Sequence, residues 1–184
     1  MLSFDTFSAA LPYDAFLTQY GTSAHRVNWD RTRTATTLTA EQTKLLASFT
    51  RKTNVLVLAG AWCGDCASQC PIFERFAEAA PVLTVRYLDR DAFPEVQKEL
   101  QINGGNRVPV AVFFSEDGYE VARFGERTLT TYRKMVGQLG GDVCGSGIAT
   151  GDYLASVAAD WLREFERVQW VLRLSSRLRR LHGD

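Results

Sequence analysis

The segment from Phe4 to about Tyr20 reads as a helix broken at Pro12, whose ring interrupts a helical ladder. A polar stretch follows, from Gly21 to Thr37. Thr39 then opens a helix, with Gln42 at the capping-box position and Leu45, Leu46 and Phe49 as its apolar residues. Asn54-Val-Leu-Val-Leu-Ala-Gly60 is apolar without alternation, the pattern of a central strand covered on both faces. After it, Cys66, Cys70, Phe73 and Ala77 recur at helical spacing, and Ile72, Phe76 and Ala80 widen the stripe. This predicts an amphipathic helix with its apolar face inward and a kink at Pro71.

Pro81 to Asp89 reads as a second strand, and Pro94 to Leu100 as a short helix with proline in its first turn. Val108 to Phe114 is a strand beginning at Pro109, where a missing N–H is tolerated. Ser115-Glu-Asp-Gly118 predicts a hairpin turn and Tyr119 to Phe124 the return strand. Thr128 to Leu139 predicts a helix with Leu129, Tyr132, Val136 and Leu139 on one face and Gly140 as its stop. Gly140 to Gly147 is a glycine-rich linker, and Gly151 to about Leu181 one long helix. At 1.5 Å per residue that helix would span about 45 Å, with acids early and arginines late, as the helix dipole favours. The chain thus divides into an N-terminal helical extension (1–53), an α/β core (54–140), and a linker with a C-terminal helix (141–184), packed as one domain.

Composition narrows the class. The 184 residues are 46% apolar and 23% charged, which excludes a disordered or low-complexity chain. Twenty-one basic residues balance 21 acidic ones, so general nucleic-acid binding is not expected. No apolar run reaches the roughly 18 residues of a membrane helix, and the first residues carry no basic leader. The expected setting is the cytoplasm, where thiols stay reduced. Only His25 and His182 exist, near opposite ends, which argues against histidine-based catalysis.

The cysteines carry the chemistry. Cys63, Cys66 and Cys70 fall within Trp62-Cys-Gly-Asp-Cys-Ala-Ser-Gln-Cys-Pro71, and Cys144 lies in the linker. A Cys-x-x-Cys pair between a buried strand and a helix places Cys63 at the helix N-terminus, where free N–H groups and the dipole favour thiolate. Cys63 is therefore expected to be the exposed nucleophile, and Cys66, one turn on and more buried, the resolving thiol.

From about Asn54 to Leu139 the sequence resembles the thioredoxin family, through Trp62-Cys63-Gly64-x-Cys66, through Pro71 five residues after Cys66, and through Val108-Pro109. The resemblance implies a thioredoxin-like α/β fold, a central mixed sheet flanked by helices, here with added N-terminal helices and a long C-terminal helix. It implies a cis Pro109 facing the dithiol and a substrate groove shaped by Trp62, Gly64, Val108 and Pro109, with the Val108 backbone pairing the substrate chain. It implies reduction of protein disulfides with electrons from a reductase or a small thiol, without metal or organic cofactor.

Three departures stand out. Asp65 replaces the family's usual proline and should oppose thiolate at the neighbouring sulfurs, making the couple more reducing; as an alternative it is an exposed acid at a helix start. The family's buried acid in the central strand aligns with Val57, so that proton acceptor is missing. Cys70 replaces a small residue and reads first as a packed core thiol. Arg107, two residues before Pro109, either attracts acidic client segments or is a solvated loop charge. Two other functions stay open: an iron–sulfur or zinc site on Cys63, Cys66 and Cys70, and an adaptor that docks through its helical extensions. A monomer and a homodimer through the C-terminal helix are both compatible with the pattern.

Overall fold

The computed structural model describes residues 2–138 and 151–184. The unbroken apolar run becomes β1 (Thr53–Ala59), buried at every residue, as a strand with no water-facing side must be. The helix α5 (Gly64–Ala79) leads out of it and back to β2 (Leu83–Asp89), which lies parallel to β1. β3 (Val110–Ser115) pairs antiparallel with β1, and β4 (Glu120–Gly125) antiparallel with β3. The result is a mixed four-stranded sheet of order β2-β1-β3-β4. The short helix α6 (Pro94–Glu99) joins β2 to β3.

The helices of the N-terminal extension are α1 (Asp5–Ala9), α2 (Tyr13–Tyr20), α3 (Ser23–Ala35) and α4 (Ala40–Ala47). The break at Pro12 and the Thr39–Gln42 capping box are as the sequence predicts. The polar stretch from Gly21 to Thr37, to which the sequence assigns no element, is mostly helix α3. Its buried stripe is made of Trp29 and Thr32, followed by Thr36, so polar composition hides an inward face. Its start is fixed by a capping box in which Thr22 accepts the His25 N–H and His25 Nδ1 accepts the Thr22 N–H. Tyr13, Phe16, Trp29 and Tyr87 pack together with ring centroids 5.5–6.1 Å apart, binding α2 and α3 to β2.

The C-terminal part differs from the single long helix expected. It is α8 (Gly151–Leu174) followed by α9 (Ser176–His182), because Ser175 turns extended and caps the second helix. Trp161 stands 4.6 Å from Phe73, and Phe165 stands 5.2 Å from Phe76 and 5.0 Å from Phe113, so α8 covers α5 and the sheet. Gln169 on α8 accepts the Thr50 and Arg51 N–H groups and donates to Arg51 O and Thr53 Oγ1, fastening the entry to β1. In α7 (Leu129–Val136) the face of Leu129, Tyr132 and Val136 is turned outward, and Thr128 and Thr131 are buried instead. Leu139, Gly140 and the linker with Cys144 lie outside the described residues.

Candidate active site

Cys63 is the N-cap of α5: its backbone is extended and its Sγ accepts the Cys66 N–H at 3.5 Å. Its thiol donates to the Val108 carbonyl at 3.7 Å. The Val108–Pro109 peptide is cis, as is Gly125–Glu126, and Val108 and Pro109 are both buried. Cys66 Sγ accepts the Gly60 N–H at 3.5 Å. Cys63, Cys66 and Cys70 are free thiols.

Two glycines let this turn close. A Cβ on Gly60 would stand 2.8 Å from the Trp62 indole, so the ring lies directly on that backbone. A Cβ on Gly125 would stand 2.4 Å from Pro109 O, where β4 crosses the cis-proline loop. Trp62 is about half exposed, and the Arg90 guanidinium sits 4.6 Å above its ring. Gly64 is also exposed, so Cys63 lies recessed between two exposed neighbours.

Cys63 is therefore not the exposed thiol expected: it is 9% accessible, because the sulfur turns inward to the Cys66 N–H and Val108 O. Nor is its acidity raised in the dithiol. Its pKa is pushed above the ordinary thiol value, first by the hydrogen bond shared with Cys66, then by burial. The Cys66 N–H opposes this without prevailing. Two thiols in hydrogen-bond contact titrate as a pair, and the second proton is the hard one to remove. Burial pushes Cys66 well up, and burial likewise raises Cys70, which lies in sulfur contact with Cys66.

Asp65 is not an exposed helix-start acid. It is buried, and its Oδ2 pairs with Arg127 Nη2 at 2.6 Å. Arg107 is not a freely solvated charge; it is half exposed but pairs with the buried Glu126 at 3.2 Å. Cys70 is fully buried in the core of α5, as a packed thiol should be. Val57 is fully buried, and Asp89 Oδ1 accepts the Asp91 and Ala92 N–H groups, which makes it a turn residue.

Several residues around the site gave no signal in the sequence. Trp29 donates its indole N–H to Ala61 O at 3.0 Å, just before the Trp62-Cys63 turn. Gln69, Glu126, Arg127 and Trp161 form the other side of the frame. Arg127 and Asp65 are 62 positions apart, and no local period reports such a meeting. Arg127 directly before the Thr128 cap of α7 was the one available hint that a charge stands at a structured turn.

A dithiol at a helix N-terminus, facing a cis-proline loop beside a mixed four-stranded sheet, defines a thioredoxin-type fold and site layout. A thioredoxin family model matches residues 10–139, and the chain belongs to the thioredoxin family. It is 36% identical over 62 residues to a thioredoxin of Chlamydia muridarum (strain MoPn / Nigg), a match covering 34% of this chain and 57% of that protein. Over 91% of this chain and 99% of the other, its fold is similar to that of a Pseudomonas aeruginosa protein of unknown function, with a TM-score of 0.72 at 20% identity. It is also similar to an HIV epitope scaffold, with a TM-score of 0.61 at 17% identity over 98% of this chain and 97% of that one. These two likenesses extend over the helical extensions as well as the core. Family and fold support thiol–disulfide oxidoreductase chemistry in general. Among the described residues, no helix is long and apolar enough to cross a membrane, and no three His, Cys, Asp or Glu side chains gather as a metal site.

Proposed function

We propose that the protein is a thiol–disulfide oxidoreductase that reduces protein disulfides, with Cys63 as the attacking sulfur and Cys66 as the resolving one. The observation that carries this reading is the position of Cys63 Sγ: N-cap of α5, on the Cys66 N–H, and against the carbonyl of cis-linked Val108. The Cys66 N–H supports the negative charge that the sulfur must carry as it attacks.

The thiolate of Cys63 attacks one sulfur of a client disulfide. A bond forms between Cys63 and the client, the client S–S bond breaks, and the freed client sulfur takes up a proton. Cys66 then loses its proton and attacks Cys63 Sγ. The mixed disulfide breaks, a Cys63–Cys66 bond forms, and the second client thiol leaves with a proton. Two electrons pass from the dithiol to the client. A reductase dithiol or a small thiol returns them. Exposed Trp62 and Gly64 would form the rim met by the client, with Val108 and Pro109 as the inner wall.

The test is reduction of insulin disulfides by dithiothreitol, followed by turbidity. The wild-type protein should accelerate it, Cys63→Ser should not, and Cys66→Ser should accumulate a mixed disulfide visible by mass spectrometry. A wild-type rate equal to dithiothreitol alone, or an active Cys63→Ser, overturns the reading.

A further inference from the structure

Four charged side chains form a linear chain beside the dithiol, in the order Arg107, Glu126, Arg127, Asp65. Arg127 Nη2 lies 2.6 Å from Asp65 Oδ2, and Arg127 Nη1 lies 3.0 Å from Glu126 Oε1. Arg107 Nη1 reaches the same Glu126 oxygen at 3.2 Å, as does the Tyr132 hydroxyl. The Asp65, Glu126 and Arg127 side chains are 11%, 6% and 18% exposed, so solvent screens the interior pairs little. Two carboxylates face two guanidiniums, yet the sharing is uneven. Glu126 has both cations, and among the described residues Asp65 has Arg127 alone.

Asp65 lies between the two active-turn cysteines, in the first turn of α5. A carboxylate there opposes any negative charge on Cys63, and a guanidinium held against it cancels that opposition. We propose that Arg127 is a positioning residue for the chemistry of Cys63: by closing on Asp65 it neutralises the acid built into the active turn and thereby sets how readily Cys63 ionises. This rests on the reading of Cys63 as the attacking thiol. The other charged or titratable groups around the turn are Cys66 and Cys70 from α5, Glu126 from the loop after β4, Arg107 before β3, Arg90 over Trp62 and Tyr132 from α7. None of them touches the Asp65 carboxylate in the described structure.

The experiment measures alkylation of Cys63 by iodoacetamide in the reduced full-length protein as a function of pH, quantified by peptide mass spectrometry. Arg127→Gln should move the midpoint up by about one unit, a roughly tenfold loss of thiolate at fixed pH below it. Asp65→Asn should move it down, and the double variant should return close to wild type. Arg127→Lys, which keeps the charge, should also stay close to wild type. If the pair served only to hold the turn, all pair-breaking variants would shift together and the double variant would show no recovery. That pattern, or coincident profiles throughout, overturns the assignment. If circular dichroism shows Arg127→Gln unfolded, Asp65→Asn decides, since it leaves Arg127 paired with Glu126; a midpoint that is unmoved or raised then overturns the proposal. A wild type inactive on insulin, with the midpoints moving as stated, sinks the function reading and leaves the role of Arg127 standing.

Discussion

The Trp161 indole N–H donates to Gln69 Oε1 at 2.9 Å, joining the C-terminal helix α8 to the helix that begins at the candidate active turn. Gln69 in turn donates to Asp65 O and Glu126 O, so one buried amide links three segments. Trp161→Phe keeps an aromatic ring against Phe73 and removes the N–H. The unpaired amide oxygen should cost about 1–3 kcal/mol, read as a lower urea midpoint. Insulin reduction should fall along with it, since the displaced amide sits one turn from Cys66.

On the opposite side, Trp29→Phe strips the donor from Ala61 O, a carbonyl directly ahead of Trp62 and Cys63. A similar loss of about 1–3 kcal/mol is expected. The maximal rate of disulfide reduction should drop more than the apparent client affinity, because the exposed rim of Trp62 and Gly64 is untouched. A kcat and KM equal to wild type would show that the turn holds itself.

Glu74 gives the protein a pH-dependent stability. Burial raises its pKa, while the hydrogen bond from Tyr87 and the charge of Arg33 oppose that rise. The unfolded chain therefore loses this proton first as pH climbs. The stability tied to the protonated form is complete below the ordinary carboxylate value, about 4.3, and is lost as pH rises through the folded value. Glu74→Gln should match wild type near pH 4 and be the more stable protein at pH 7, in urea titrations at both pH values.

Gln169 makes four hydrogen bonds to the segment that enters β1. Gln169→Leu fits the volume but strips the acceptor from the Thr50 and the buried Arg51 N–H groups, leaving Arg51 O with the Thr53 hydroxyl alone. A loss of about 3 kcal/mol or more is expected by urea denaturation, with the chemistry of Cys63 unchanged at temperatures where the variant stays folded.

Cys70→Ala tests whether the third thiol is packing alone. Removing one buried sulfur should cost on the order of 1 kcal/mol and leave insulin reduction intact. Loss of activity without loss of fold would move Cys70 into the mechanism.

Much of this fold could be read from local pattern. The Asn54–Gly60 run, the Cys66-Cys70-Phe73 stripe and the Asp117-Gly118 turn each carry their own period or turn chemistry, and each element lies where that chemistry puts it. Helix α3 escaped because its inner face is threonine around one tryptophan, a stripe that hydropathy does not see. The break at Ser175 escaped because the apolar period runs on across it, while a single capping serine ends the helix. At the site, the cysteine pair, Trp62 and the cis-proline position were legible from a short motif. The burial of Cys63 and the pairing of Asp65 with Arg127 were not, since both arise from chain segments that meet only after the sheet has closed.

The sheet's outer rim shows one further use of the N-terminal residues. Leu11 and Tyr87 exchange both backbone hydrogen bonds, at 2.9 and 2.7 Å, so a single residue pairs against the free side of β2. An open border of this kind is where foreign strands are recruited in amyloid-like association. With Leu11 seated there and α2 packed beyond it, that border is blunted, and shortening the chain past Leu11 would reopen it to self-templating.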